Sequence, residues 1–148
     1  MAEDLLKQAM RKEPANAGNV MLLTNLGTIQ RYLKKYDEAL ASYNTVLARY
    51  PENVGLLHSR ANLYCEMEKW NDALLDYNRI VTVDAKNYDA YLRRALLHLQ
   101  HNRFLEASAD YMKLDELNPA RVDGKLGLAF IEKKQQHWKE AEDLYTVS

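Results

Sequence analysis

The stretch that decides the fold is residues 23–51, which read LTNLGTIQRYLKKYDEALASYNTVLARYP. Its Tyr43 recurs at intervals of 34 residues, as Tyr77, Tyr111 and Tyr145. A period of this length is typical of a small unit of secondary structure that is copied along the chain. Each copy is too small to bury its own apolar face, so its stability must come from packing on its neighbours.

Small and aromatic residues recur with the tyrosines in the same order. The small residues are Gly27 and Ala39, Ala61 and Ala73, Ala95 and Ala107, and Ala129 and Ala141, and an aromatic precedes each second alanine: Tyr36, Trp70, Phe104 and Trp138. Small side chains are needed where two antiparallel helices cross closely, and aromatic rings fill the space beside the crossing. The pattern therefore predicts helix pairs at residues 20–33 and 36–49, 54–67 and 70–83, 88–101 and 104–117, and 122–135 and 138–148, without strands.

This arrangement resembles the tetratricopeptide repeat. The residues that carry the resemblance in the first copy are Leu23, Leu26, Gly27, Ala39, Tyr43 and Pro51. Later copies keep the pattern with substitutions, since Arg60 and Arg94 occupy a place that is usually leucine. The resemblance covers residues 20–148 and implies an all-α fold, a right-handed superhelix (α-solenoid) of stacked antiparallel helix pairs. The first helix of each pair is expected to line its concave face.

The same comparison predicts one domain built from successive units. Residues 1–19 are expected to form the second helix of a preceding repeat plus a loop, and the repeats to span residues 20–53, 54–87 and 88–121, with a partial repeat at 122–148. Because the chain begins and ends inside helix pairs, we expect it to be a fragment of a longer array. Asp37 and Asn71 are expected to cap the second helices of the first two pairs.

Composition narrows the classes of partner. The chain has 20 Lys+Arg and 21 Asp+Glu, a net charge of −1, so no basic field favours nucleic acid or an anionic membrane. No apolar run approaches the roughly 20 residues of a membrane span, so direct membrane insertion is not expected. The single cysteine, Cys65, leaves the compartment open: cytoplasm by default, or bacterial periplasm if an upstream signal sequence has been removed.

A candidate binding groove follows from helix periodicity, because residues three or four apart share one face of a helix. On the first helices this face holds Met21, Thr24, Thr28, Arg31, His58, Asn62, Cys65, Asp89, Leu92, Leu96, Leu99, Leu126, Phe130 and Lys133. The first two copies contribute mostly small or polar residues. The last two contribute what we call the apolar strip, which comprises Leu92, Leu96, Leu99, Leu126 and Phe130. Exposed apolar patches of this kind usually mark contacts.

Two interpretations of the groove remain open. In the first, it binds a peptide or partner protein with apolar anchors, while Thr28, His58 and Asn62 orient the backbone of the peptide. In the second, the chain is a structural spacer or assembly segment. Its groove is then filled by flanking repeats or by a second copy of the chain, with self-association through the groove or through the cut repeat ends.

The chain shows no pattern of a more specialised site. In some members of the family it resembles, a clamp of lysines, asparagines and an arginine holds an acidic C-terminus; Thr24, Thr28 and Asp89 occupy places where that clamp needs lysine or asparagine. His58 and Cys65 are about 10 Å apart along a helix, too far for the roughly 3 Å hydrogen bond of a catalytic pair. His98 and His101 have a metal-binding spacing, but His98 occupies the core position of Tyr64. We therefore expect no enzymatic activity, no cofactor and no metal.

Overall fold

The computed structural model describes residues 18–147, with side chains from residue 20 to residue 136. This range is helical and contains no strand, which confirms the predicted all-α helical-repeat class. The helices are α1 (Gly18–Tyr32), α2 (Tyr36–Arg49), α3 (Val54–Glu66), α4 (Trp70–Val83), α5 (Tyr88–Gln100), α6 (Phe104–Leu117) and α7 (Asp123–Val147). The helix predicted within residues 1–19 lies almost wholly outside the described residues, and α1 already begins at Gly18.

The chain divides into two compact units, residues 1–85 and 86–148. In the first unit α1 packs on α2, and α3 packs on α4. Helix α3 also contacts α1 and α2. In the second unit α6 packs between α5 and α7. The recurring tyrosines form equivalent parts of these cores, because Tyr43, Tyr77 and Tyr111 are all at most 3% exposed. The matching alanines are fully buried (Ala39, Ala73 and Ala107). The predicted recurrence of the packing is confirmed at these positions.

The turn inside each of the first three helix pairs has the same backbone conformation. Lys34, Glu68 and Asn102 lie at φ near +60°, the left-handed region, and they are 34 residues apart. In each turn, the amide of the residue after the left-handed one donates to the carbonyl five residues before it. The amide of Lys35, for example, donates to the carbonyl of Gln30 at 2.8 Å. A single left-handed residue after a helix is a common way to end it and satisfy its last carbonyls. The repeat is therefore expressed in the backbone as well as in the core.

The predicted helix caps are wrong for the second helices. Asp37 and Asn71 already lie within the first turns of α2 and α4, which begin after Lys35 and Lys69 without a side-chain cap. A capping residue needs a non-helical backbone just before the helix. Asparagines meet this condition at the first helices of the second and third pairs instead. Asn53 caps α3 by accepting from the Leu56 amide at 3.1 Å, and Asn87 caps α5 by accepting from the Ala90 amide at 3.0 Å.

The fourth helix pair also differs from the prediction. Helix α7 continues from Asp123 to Val147, so the predicted break between residues 135 and 138 is absent. Gln136 occupies the place of the left-handed turn residues but remains helical. Ala129, expected at a helix crossing, is exposed because α7 does not fold back and nothing in the described part of the chain covers this position.

The close approach of α7 to α6 depends on two glycines. A Cβ atom added to Gly127 would overlap the ring of Tyr111, and one added to Gly124 would lie 2.6 Å from the Tyr111 carbonyl oxygen. Both glycines are buried. The absence of side chains at these positions allows α7 to pack on α6, and it places the face of α7 that carries Leu126 and Phe130.

Candidate binding surface

The apolar strip is exposed on the first helices of the second unit. Leu96 on α5 is 45% exposed, and Leu126 and Phe130 on α7 are 64% and 47% exposed. Leu92 and Leu99 are half-buried. The core of this unit is filled by other residues, so these side chains are not needed to enclose it (Ala90, Tyr91, Ala95, Leu97, Phe104, Ala107, Tyr111, Leu114 and Ile131). The strip is thus an apolar surface outside the core.

The N-terminal ends of α5 and α7 are joined by a small polar cluster. The Tyr88 hydroxyl donates to Asp123 at 2.9 Å, and Arg121 pairs with the same carboxylate at 2.9 Å. The Arg121 guanidinium also lies 4.3 Å from the centre of the Tyr88 ring. Burial, together with the hydrogen bond to Asp123, raises the pKa of Tyr88, so its hydroxyl remains a proton donor at neutral pH. These contacts hold the two helices that carry the apolar strip at one end.

The polar half of the predicted groove lies in the first unit, where it is already engaged with the core. The hydroxyl groups of Thr28 and Tyr43 are 2.9 Å apart, and the Tyr77 hydroxyl donates to Asn62 at 3.0 Å. Thr28 also donates to the carbonyl of Thr24 at 3.1 Å. Residues expected to orient a peptide therefore also satisfy the hydroxyls of buried tyrosines.

The third repeat lacks this tyrosine contact. Leu96 occupies the position of Thr28 and Asn62, and its side chain can neither donate nor accept a hydrogen bond. Burial raises the pKa of Tyr111, and the negative charges of Asp123 and Asp110 add to this effect. The Tyr111 hydroxyl therefore stays protonated at neutral pH. Three equivalent tyrosines thus end in three different polar environments.

The other predicted groove residues are all accessible to solvent. In the first unit Met21 is 69% exposed, Arg31 lies 3.9 Å from Glu66, and the ring of His58 packs edge-on against Tyr77. The single cysteine, Cys65, is half-buried. In the second unit Asp89 pairs loosely with Arg93 at 3.8 Å, while Lys133 is exposed. The structure thus divides the candidate residues between its two units, Met21 to Cys65 in one and Asp89 to Lys133 in the other.

Sequence reasoning missed the partners of the two arginines that replace leucine. Arg60 forms two hydrogen bonds with Asp76, at 2.9 and 2.6 Å, and Arg94 forms the same two bonds with Asp110. Hydrogen bonding to Asp76 raises the pKa of Arg60. Because each aspartate follows its arginine by 16 residues in both copies, the recurrence was visible in the sequence. It could have indicated an ion pair.

Comparisons with known proteins agree with this architecture. The tetratricopeptide repeat family matches residues 20–53 and 58–121. A tetratricopeptide repeat protein from Parabacteroides merdae has a solved structure that is 41% identical to this chain, with a TM-score of 0.85. The match covers 98% of this chain and 57% of that protein, so the chain spans little more than half the length of its relative. No match was found among curated proteins by sequence comparison.

Two further structures have lower sequence identity. The first tetratricopeptide repeat domain of Spaghetti (RPAP3), solved with the HSP90 peptide SRMEEVD, is 26% identical with a TM-score of 0.70, over 82% of this chain and 96% of that one. The domain of Sgt2 from Aspergillus fumigatus is 24% identical with a TM-score of 0.70, over 86% of each chain. The Sgt2 likeness bears on the fold alone. The chain belongs to the tetratricopeptide repeat family.

Proposed function

We propose that this chain is a non-catalytic protein-interaction module that binds a peptide or partner protein through the apolar strip on the first helices of its second unit, α5 and α7. The observation that carries this proposal is the exposure of the apolar strip. Leu96, Leu126 and Phe130 each leave about half or more of their surface in water although they are not required for the core. Covering such side chains with a partner stabilises a complex by roughly 25 cal/mol per Å² of apolar surface buried.

A relative supports this proposal in general terms. The Spaghetti domain was solved with a bound peptide, so a related fold can serve as a peptide receptor. The present chain places Asp89 and Asp123 where a clamp for an acidic terminus would need cations, and this favours a ligand with apolar anchors over one held mainly by its terminal carboxylate.

The proposal includes no reaction. His58 and Cys65 lie seven residues apart on the continuous helix α3, a separation of about 10 Å along its axis, so they do not form a nucleophile and base pair. Tetratricopeptide repeat proteins are generally scaffolds without catalysis. In residues 18–147, no helix has the length and apolar character needed to cross a bilayer. The near-neutral charge likewise favours protein over nucleic acid as the partner.

The test is a binding screen against a random peptide library with the wild type and the double variant Leu96→Glu, Phe130→Glu. We expect the wild type to select peptides and the variant to lose them, while helical circular dichroism is unchanged. Leu105→Glu with Met112→Glu is a matched control, because these side chains are 81% and 61% exposed on α6, outside the strip. The control variant should bind like the wild type.

Other results would contradict the proposal. Unfolding of the strip variant but not of the control would show that the strip is structural. A wild-type dimer that dissociates in the strip variant would place a second copy of the chain there, which is the spacer or assembly interpretation.

A further inference from the structure

The Tyr111 hydroxyl differs from those of its two equivalents. Tyr43 and Tyr77 each form a hydrogen bond with a groove residue, whereas no partner of the Tyr111 hydroxyl is found among the described residues. The residue is 3% exposed. No fully enclosed side-chain nitrogen or oxygen of the described residues lacks a partner, so the Tyr111 oxygen is not fully enclosed and keeps some contact with solvent. The hydroxyl of this nearly buried side chain thus reaches solvent without a hydrogen-bond partner among the described residues.

The contact of the Tyr111 ring and the register of the repeats indicate that this hydroxyl is on the side of the apolar strip. The Tyr111 ring packs against the backbone of α7 at Gly127. On that helix Leu126 directly precedes Gly127 and Phe130 follows it by three residues, so both lie on the same side of the glycine. On α5, Leu96 stands where Thr28 and Asn62 meet the hydroxyls of the other two tyrosines. The third repeat therefore combines a tyrosine hydroxyl that has no protein partner among the described residues with three exposed apolar residues on the two helices that pack on α6.

The charges around the strip are uneven. At its N-terminal end the carboxylates are paired, Asp89 with Arg93 and Asp123 with Arg121. Toward its other end Lys133 and Lys134 are exposed, and within residues 20–136 neither has a salt bridge. The Lys134 ammonium lies 5.7 Å from the centre of the Phe130 ring, so it is on the same face as the strip. This end has positive charge available for an acidic group.

We propose that Tyr111 is a specificity-determining residue of this surface. It donates its O–H to a carbonyl oxygen of a bound segment that rests apolar side chains on Leu96, Leu126 and Phe130 and places a carboxylate beside Lys133 and Lys134. The inference rests on the proposed function and adds the chemistry of the partner, which is an apolar segment with an acidic end. Thr28 and Asn62 satisfy the equivalent hydroxyls internally, so this recognition is specific to the third repeat.

The experiment uses short synthetic peptides with two leucines one helical turn apart, flanked at one end by glutamates or by lysines. Fluorescence polarisation gives the Kd for the wild type, Tyr111→Phe and Tyr77→Phe. We expect glutamate-flanked peptides to bind more tightly than lysine-flanked ones. Tyr111→Phe should weaken binding about threefold to tenfold, as the loss of one neutral hydrogen bond does, without lowering the melting temperature.

Tyr77→Phe makes the same chemical change where the hydroxyl already has Asn62 as partner. It should lower the melting temperature and leave the Kd unchanged. Equal affinities of the wild type and Tyr111→Phe, or preference for lysine-flanked peptides, would overturn this inference while the proposed function stands. If the wild type binds neither these peptides nor any member of the random library, both the inference and the proposed function are overturned.

Discussion

Arg94 and Asp110 are joined by two parallel hydrogen bonds, from Nε to Oδ2 at 2.9 Å and from Nη2 to Oδ1 at 2.6 Å. Asp110 is only 3% exposed, so Arg94 rather than water is the main partner of its carboxylate. The matching positions of the first repeat hold Leu26 and Ser42, where no charge is buried. The same pair of positions is therefore filled by an ion pair in the second and third repeats and by a leucine and a serine in the first.

Removing one member of the pair should destabilise the protein strongly. Arg94→Leu leaves Asp110 buried without its cation, and we expect the free energy of unfolding to fall by about 3 kcal/mol. The double variant Arg94→Leu, Asp110→Ser reproduces the combination of the first repeat and should recover most of this loss. Urea unfolding measures both changes. A double variant no more stable than the single one would show that the unpaired charge is not the cause.

Two glycine substitutions should shift stability in opposite directions. Gly127→Ala places a methyl group in the Tyr111 ring and is expected to cost about 1–3 kcal/mol through overpacking. Gly55→Ala is the control, since its Cβ would meet only Asn53 Oδ1, at 3.5 Å. Better helix propensity should then stabilise α3 by up to about 1 kcal/mol. Thermal unfolding followed by circular dichroism compares them, and a stable Gly127→Ala variant would contradict the close packing of α6 and α7.

The left-handed turn residues offer a route to stabilisation. Glu68 has a φ of 60°, whereas the equivalent position of the third repeat holds Asn102 at 59°. Asparagine tolerates this conformation better than glutamate does. Glu68→Asn should therefore stabilise the chain by about 0.5–1 kcal/mol, and the reciprocal Asn102→Glu should destabilise it by a similar amount. Melting temperatures that move together, in either direction, would argue against backbone strain as the cause.

Acid should destabilise the second unit through His98. This side chain is 8% exposed, and burial lowers its pKa below the usual 6.5, an effect partly offset by the charge of Asp110. The unfolded chain then binds more protons than the folded one, so stability is lost as the pH falls below about 6.5. Denaturant unfolding at pH 7 and at pH 5 should show the loss. His98→Gln, which copies Gln30 of the first repeat, should show a smaller loss, and an unchanged pH dependence would assign the effect to other groups.

The helical core could be predicted from the sequence because its packing requirements recur. Tyr43, Tyr77 and Tyr111 each pack between two helices that cross at small residues. Their 34-residue spacing therefore predicts where each helix pair recurs. The caps and the fourth pair could not be predicted in this way. Asp37 is a suitable residue type but lies two residues after the cap position, Lys35, and Gln136 remains helical where the earlier repeats turn.

The candidate surface shows a similar division. Helix periodicity alone placed Leu96, Leu126 and Phe130 on one type of face, and the structure shows them exposed. Helix periodicity did not indicate that Thr28 and Asn62 form hydrogen bonds with tyrosine hydroxyls, or that the Tyr111 hydroxyl has no such partner among the described residues.

The sequence by itself determined that this protein is an array of helix pairs, because a repeated pattern of side-chain sizes can be buried only by repeated packing. The tertiary structure alone decided which polar groups meet and which remain available, and it decided that α7 continues without a turn. The physical reason is distance. Periodicity assigns a residue to a face, but a hydrogen bond forms only when two atoms come within about 3 Å, and that depends on how whole helices approach each other.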